Sequence, residues 1–106
     1  MSKQTLSRTA VVLSLGTLRP LPARPLHRIG DVARFVGVET HVIRYWEGEF
    51  RLWFGAMQRS KSGQRVYTSK QGQLFATIRD LLYVELYTMD GAKRQLRLAA
   101  ERLKAG

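Results

Sequence analysis

Thr40, His41, Arg44 and Tyr45 form one set of side chains suited to chemistry with a partner, and Arg59, Lys61, Arg65 and Tyr67 form a second. Every one of the eight can donate a hydrogen bond and none is an acid. An arginine fork fits a phosphate or the acceptor edge of guanine, and a tyrosine hydroxyl can donate to a phosphate oxygen. Positions 40 and 44, and 41 and 45, are one helical turn apart, so the first set shares a face if that segment is helical. Bond-making chemistry has little support. Glu47 and Glu49 lack a third group beside them and read as surface or capping carboxylates. No phosphate-cradling glycine loop or nucleophile elbow occurs. The chain is expected to be no enzyme and to use no cofactor.

The balance of charge points the same way. The chain has 106 residues and a formal net charge of +10, from 18 Lys and Arg against 8 Asp and Glu. Such an excess favours a polyanionic partner through phosphate contacts and counterion release. From Phe50 to Arg79 the basic residues Arg51, Arg59, Lys61, Arg65, Lys70 and Arg79 meet no acid, whereas an ordinary solvated face mixes both signs. There is no cysteine, so zinc fingers, thiolate metal sites and disulfide scaffolds are excluded. His27 and His41 are too few for a metal centre. No apolar run approaches the roughly 18 residues of a membrane span. The short Ala10–Leu18 stretch contains Ser14, Gly16 and Thr17 and has no clean cleavage site, which argues against a signal peptide. A cytoplasmic location is expected.

These residues must be carried by local structure. Residues 1–26, basic and holding Pro20, Pro22 and Pro25, read as a disordered arm, and 27–106 as one domain. Ile29, Val32, Ala33 and Val36 predict a helix from about Gly30 to Val36. Gly37 then takes a positive φ and Val38 plugs the turn. A second helix is predicted over about Thr40–Gly48, with Val42, Ile43 and Trp46 inward. Ser62-Gly63 predicts a tight hairpin between strands at Met57–Ser60 and Arg65–Thr68. Ser69 is the expected cap of a third helix to about Leu86, with Leu74, Ile78, Leu81, Leu82 and Leu86 inward. Thr88 is the expected cap of a fourth to about Ala105. Met89, Ala92, Leu96, Ala99 and Leu103 form a two-heptad seam on it.

The residues from Arg28 to Tyr67, with Ile43-Arg-Tyr-Trp-Glu47 and Ser62-Gly-Gln-Arg-Val-Tyr67 at matching distance, resemble the MerR family of transcription regulators. Leu81-Leu-Tyr83 and Tyr87-Thr-Met-Asp-Gly-Ala92 extend the likeness, which covers about Ile29–Leu96. The resemblance implies a mainly α winged helix-turn-helix of about four helices and a small β-hairpin wing. It implies sequence-specific binding of double-stranded DNA to regulate transcription, with Arg44 and Tyr45 in the major groove and Arg65 and Tyr67 in the wing. For Tyr67, DNA contact and packing under the wing stay open alternatives; so do contact and plain surface for His41. Trp46 reads as core, and His27 is assigned no role. These 106 residues are expected to hold no effector-binding domain, whether the chain is a small regulator or the front part of a longer one. An excisionase-like architectural factor is a related alternative, and a protein-interaction module using the last helix is another. A weak homodimer through Met89, Leu96 and Leu103 is expected. The chain departs from the family pattern at Gln71-Gly72, where an acid and an aliphatic are common, at Leu86, where glycine is common, and in Arg51–Met57, where many relatives have proline. Gly72 is expected to weaken its helix, and Leu86 to be strained if its φ is positive.

Overall fold

The computed structural model describes residue 21 and residues 23–105. In chain order the elements are β1 (Leu26–Arg28), α1 (Ile29–Val36), α2 (Thr40–Glu49), α3 (Arg51–Phe54), β2 (Gln58–Arg59), β3 (Arg65–Thr68), α4 (Ser69–Arg79) and α5 (Met89–Ala105), with a π-helical turn over Asp80–Val84 between the last two. The mainly α winged helix-turn-helix expected from the sequence is what forms.

Helix α1 buries Val32, Ala33, Phe35 and Val36. Gly37 leaves it at φ 85°, and the amides of Gly37 and Val38 both close on the Ala33 carbonyl, at 2.7 and 3.1 Å. A Cβ would disfavour that left-handed turn, so glycine sets the angle between α1 and α2. Arg79 reinforces it. Read as part of an unopposed basic face, Arg79 is instead buried at 5 % exposure, its Nη1 donating to the Val36 carbonyl at 2.8 Å. A guanidinium is a good partner for the orphan carbonyls of a helix end. Burial lowers its pKa from the ordinary arginine value.

The sheet holds one strand more than the expected hairpin. Its order is β1-β3-β2. β1 pairs antiparallel with β3, His27 opposite Tyr67 and Arg28 opposite Val66. β2 pairs with the far edge, Gln58 opposite Val66 and Arg59 opposite Arg65. Leu26, the last residue of the expected arm, is already in β1. His27, assigned no role, is 1 % exposed, its Nε2 2.9 Å from the Ser69 hydroxyl. The rest of the expected arm, residues 1–20 and Pro22, lies outside the described residues.

Three further readings change. Arg51–Phe54, to which no element was assigned from the sequence, is a helical turn, because Phe50 and Phe54 lie one turn apart and both enter the core, at 0 % and 5 % exposure. Thr68, not Ser69, caps α4: its hydroxyl accepts from the Gln71 amide and the Gln71 side chain accepts from the Thr68 amide, a capping box. The third helix stops at Arg79 rather than Leu86. The π turn follows, the Tyr87 amide reaches back to the Leu81 carbonyl at 2.9 Å, and Leu86 sits at φ 62°, exposed rather than inward.

Thr88 caps α5, its hydroxyl accepting from the Gly91 amide at 3.1 Å. The core joins α1, α2, α4 and the sheet. Phe75 stacks against Phe54 with centroids 4.4 Å apart and meets Tyr67 edge-on at 5.6 Å. Ala92 is fully buried, and Met89 and Leu96 pack against the same core. Three of the five positions of the expected seam on the last helix thus face its own domain. Leu103, at its far end, is 83 % exposed. Among the described residues no helix is long and apolar enough to cross a membrane.

Candidate nucleic-acid interface

Helix α2 buries Ile43, Trp46 and Glu47. Its 3.6-residue period then leaves His41, Arg44 and Tyr45 exposed on the far side, with Thr40 half-buried at the first turn. The wing is closed by Gly63 at φ 88°. The Gly63 amide donates to the Ser60 carbonyl at 2.9 Å, and the Ser60 amide to the Gln64 carbonyl at 2.7 Å. Glycine is the residue that holds such a turn without strain. Lys61 is exposed on this turn. Arg59 folds over its tip, Nη1 donating to the Gly63 carbonyl at 2.8 Å.

Arg44 of the first set and Arg59 and Arg65 of the second meet across an open cleft of about 680 Å³, which Arg24, Arg28 and Arg34 also line. The one acid in its lining, Asp31, is already bonded to Arg34. A second cleft, of about 400 Å³, is lined by Arg44, Glu47, Arg51, Arg59 and Arg65 among others. Arg44 from α2 and Arg59 and Arg65 from the wing border both. His41 and Tyr45 lie on the same helix outside the clefts, as does Lys61 on the wing. Closely spaced guanidinium groups repel one another, so such a surface is stable facing water and is further stabilised by an anion. Guanidinium forks so placed are suited to donate to phosphate oxygens, or to base edges where they can reach them.

Tyr67 resolves to packing. It is fully buried, and its hydroxyl donates to Glu47 Oε1 at 2.9 Å. Burial above all, with that hydrogen bond, raises its pKa beyond the ordinary tyrosine range. Glu47 is likewise no surface or capping carboxylate. Its side chain is 11 % exposed, and Oε2 accepts from Arg65 Nε at 3.0 Å. The bond to Glu47 raises the Arg65 pKa further still. Glu49 faces elsewhere and pairs with Lys93 at 3.1 Å.

Sequence reasoning did not place Arg24, Arg28 and Arg34 at the cleft. Arg24 sat in the segment read as an arm. Arg28 is brought in by β1, whose pairing with β3 spans some 40 residues of chain and has no local signal. Arg34 was legible as the exposed side of α1 but not as a neighbour of the wing. Among the described residues no three of His, Cys, Asp and Glu gather as metal ligands do.

A family model described as MerR HTH family regulatory protein matches residues 27–99. No curated protein and no solved structure gives a significant match. The matched span runs from β1 through most of α5 and covers well over half of the chain, and the turn at Gly37, the exposed α2 face and the wing all fall inside it. The chain belongs to the MerR family of helix-turn-helix regulatory proteins.

Proposed function

We propose that this protein is a sequence-specific binder of double-stranded DNA that regulates transcription in the cytoplasm. Helix α2 lies in the major groove and the wing rests on flanking phosphates. The observation that carries the reading is the shared cleft, in which Arg44 from α2 stands with Arg59 and Arg65 from the wing, Arg28 from β1, Arg34 from α1, and Arg24 just ahead of β1. Thr40, His41, Arg44 and Tyr45 meet the groove. Arg59, Lys61 and Arg65 meet the backbone. Tyr67 supports the wing from below. The enzyme reading has no residues behind it.

Titration of random duplex DNA against salt tests this. Each phosphate neutralised adds about 0.9 to the slope of log affinity against log salt, so engagement of half the cleft arginines gives a slope near −3 or steeper. A flat dependence would overturn DNA binding and favour an interaction module built on α5, where Leu98 and Leu103 are exposed. Mapping the bound sites separates a regulator from an excisionase-like architectural factor: a single inverted repeat supports the first, a tandem array the second.

A further inference from the structure

We propose that Glu47 is a positioning residue for DNA binding, an acid set into a basic surface to lock the wing onto α2 and to aim Arg65. The inference rests on the DNA-binding reading above.

Arg65 and Tyr67 are two apart on β3, so both point to the same face of the strand. Both reach the one carboxylate of Glu47: Tyr67 OH at Oε1, 2.9 Å, and Arg65 Nε at Oε2, 3.0 Å. Glu47 stands one turn beyond Arg44 on α2. The carboxylate therefore sets the spacing between the helix's arginine and the wing's. It takes only Nε of Arg65, whose side chain stays 41 % exposed. The two terminal nitrogens remain, a fork suited to one phosphate. The carboxylate is nearly out of water and would be costly there without both partners. The arrangement is thus all or none: with Glu47 in place the fork is held, and without it Arg65 is a free, mobile cation.

Simple electrostatics gives the opposite sign. Removing an acid from a DNA-facing surface raises the positive charge and should tighten binding. Glu47→Gln keeps the shape and an oxygen for Tyr67 but loses the ionic hold on Arg65. The expected result is about tenfold weaker duplex binding, the range of one charge-assisted hydrogen bond, and a salt slope shallower by about 1. Arg65→Ala should do the same, and the double variant should be no weaker than Arg65→Ala, because Glu47 acts through Arg65. Glu49→Gln makes the same change of charge away from the wing and should bind as tightly as the unaltered chain or more so. Glu47→Gln binding undiminished with an unchanged slope, or additive losses in the double variant, would overturn the inference and leave the DNA-binding reading standing. An unaltered chain that does not bind duplex DNA would remove both. Should Glu47→Gln not fold, Arg65→Lys decides. Lysine keeps the cation but has no separate nitrogens for Glu47 and a phosphate, so a loss similar to Arg65→Ala supports the inference, and unaltered affinity overturns it.

Discussion

Arg44 and Leu86 show how much hangs on single positions. Arg44 is the one arginine of α2, and it borders both clefts. If its fork reads a base, Arg44→Ala should cost specific binding about 1–3 kcal/mol and blur discrimination against an altered site. Competition binding checks this, and equal losses on specific and random DNA would reduce Arg44 to a phosphate contact. Leu86 is a different case. A branched side chain at φ 62° is held in a region that costs an L-residue roughly 1–2 kcal/mol, and at 78 % exposure it gains little packing in return. Leu86→Gly should therefore stabilise the protein by about 1 kcal/mol and raise Tm by roughly 4–8 °C. Thermal unfolding is the measurement; a lower Tm would mean that the leucine makes up for its strain elsewhere. The expectation of strain came from the sequence, whereas the finding that the position has a positive φ needed the fold.

At the scale of elements, the wing is held by side chains that local patterns did not single out. Gln71 is the clearest example. Its side-chain oxygen accepts from the Thr68 amide at 2.9 Å, and its nitrogen donates to the carbonyls of Phe54 at 2.9 Å and Ala56 at 3.2 Å. One amide thus caps α4 and fastens the segment leading from α3 into the wing. A carboxylate could accept the first bond but could not donate the others, which gives the departure from the family's acid a physical reason. At Gly72, the neighbouring departure, a Cβ would stand 2.8 Å from Leu21 Cδ1, so the end of that side chain would have to move aside. Gln71→Leu should leave buried carbonyls unpaired and cost roughly 2–3 kcal/mol. Denaturant unfolding would register it as a lower midpoint with an unchanged slope. A variant as stable as the original would show that the carbonyls find water instead.

At the scale of the whole molecule, α5 governs pairing. Part of the α5 seam is spent on the chain's own core, where Ala92 is fully buried and Met89 and Leu96 are packed. Leu98 and Leu103 are the exposed leucines on that helix, and Arg94, Arg97 and Arg102 add like charge to it. A helix face this short associates weakly. The chain is expected to sediment as a monomer at micromolar concentration and to pair on a symmetric DNA site. Leu103→Asp should abolish paired occupancy while leaving single-site binding and stability unchanged. Leu96→Asp should lower stability as well, because it puts a charge against the core. A tight dimer of the free protein in sedimentation would contradict this.

The sequence by itself determined the helices with clear periodicity, the glycine turn at Gly37, the hairpin turn at Ser62-Gly63, the family and the exposed donor face of α2, since all of these depend on residues close together in the chain. It also carried the charge that names the partner class. Tertiary structure decided what long-range contacts control. β1 became a strand because β3 lay beside it, which buried His27 and brought Arg28 to the cleft. Arg79 left the basic face to bond the Val36 carbonyl, and α5 turned three of its five seam residues inward. Glu47, which beside Glu49 reads as one more surface acid, became the joint between helix and wing because the fold delivers Arg65 and Tyr67 to its two oxygens. Periodicity reports which side of a helix is wet; it does not report which residue, some 20 positions further on, will arrive to meet it.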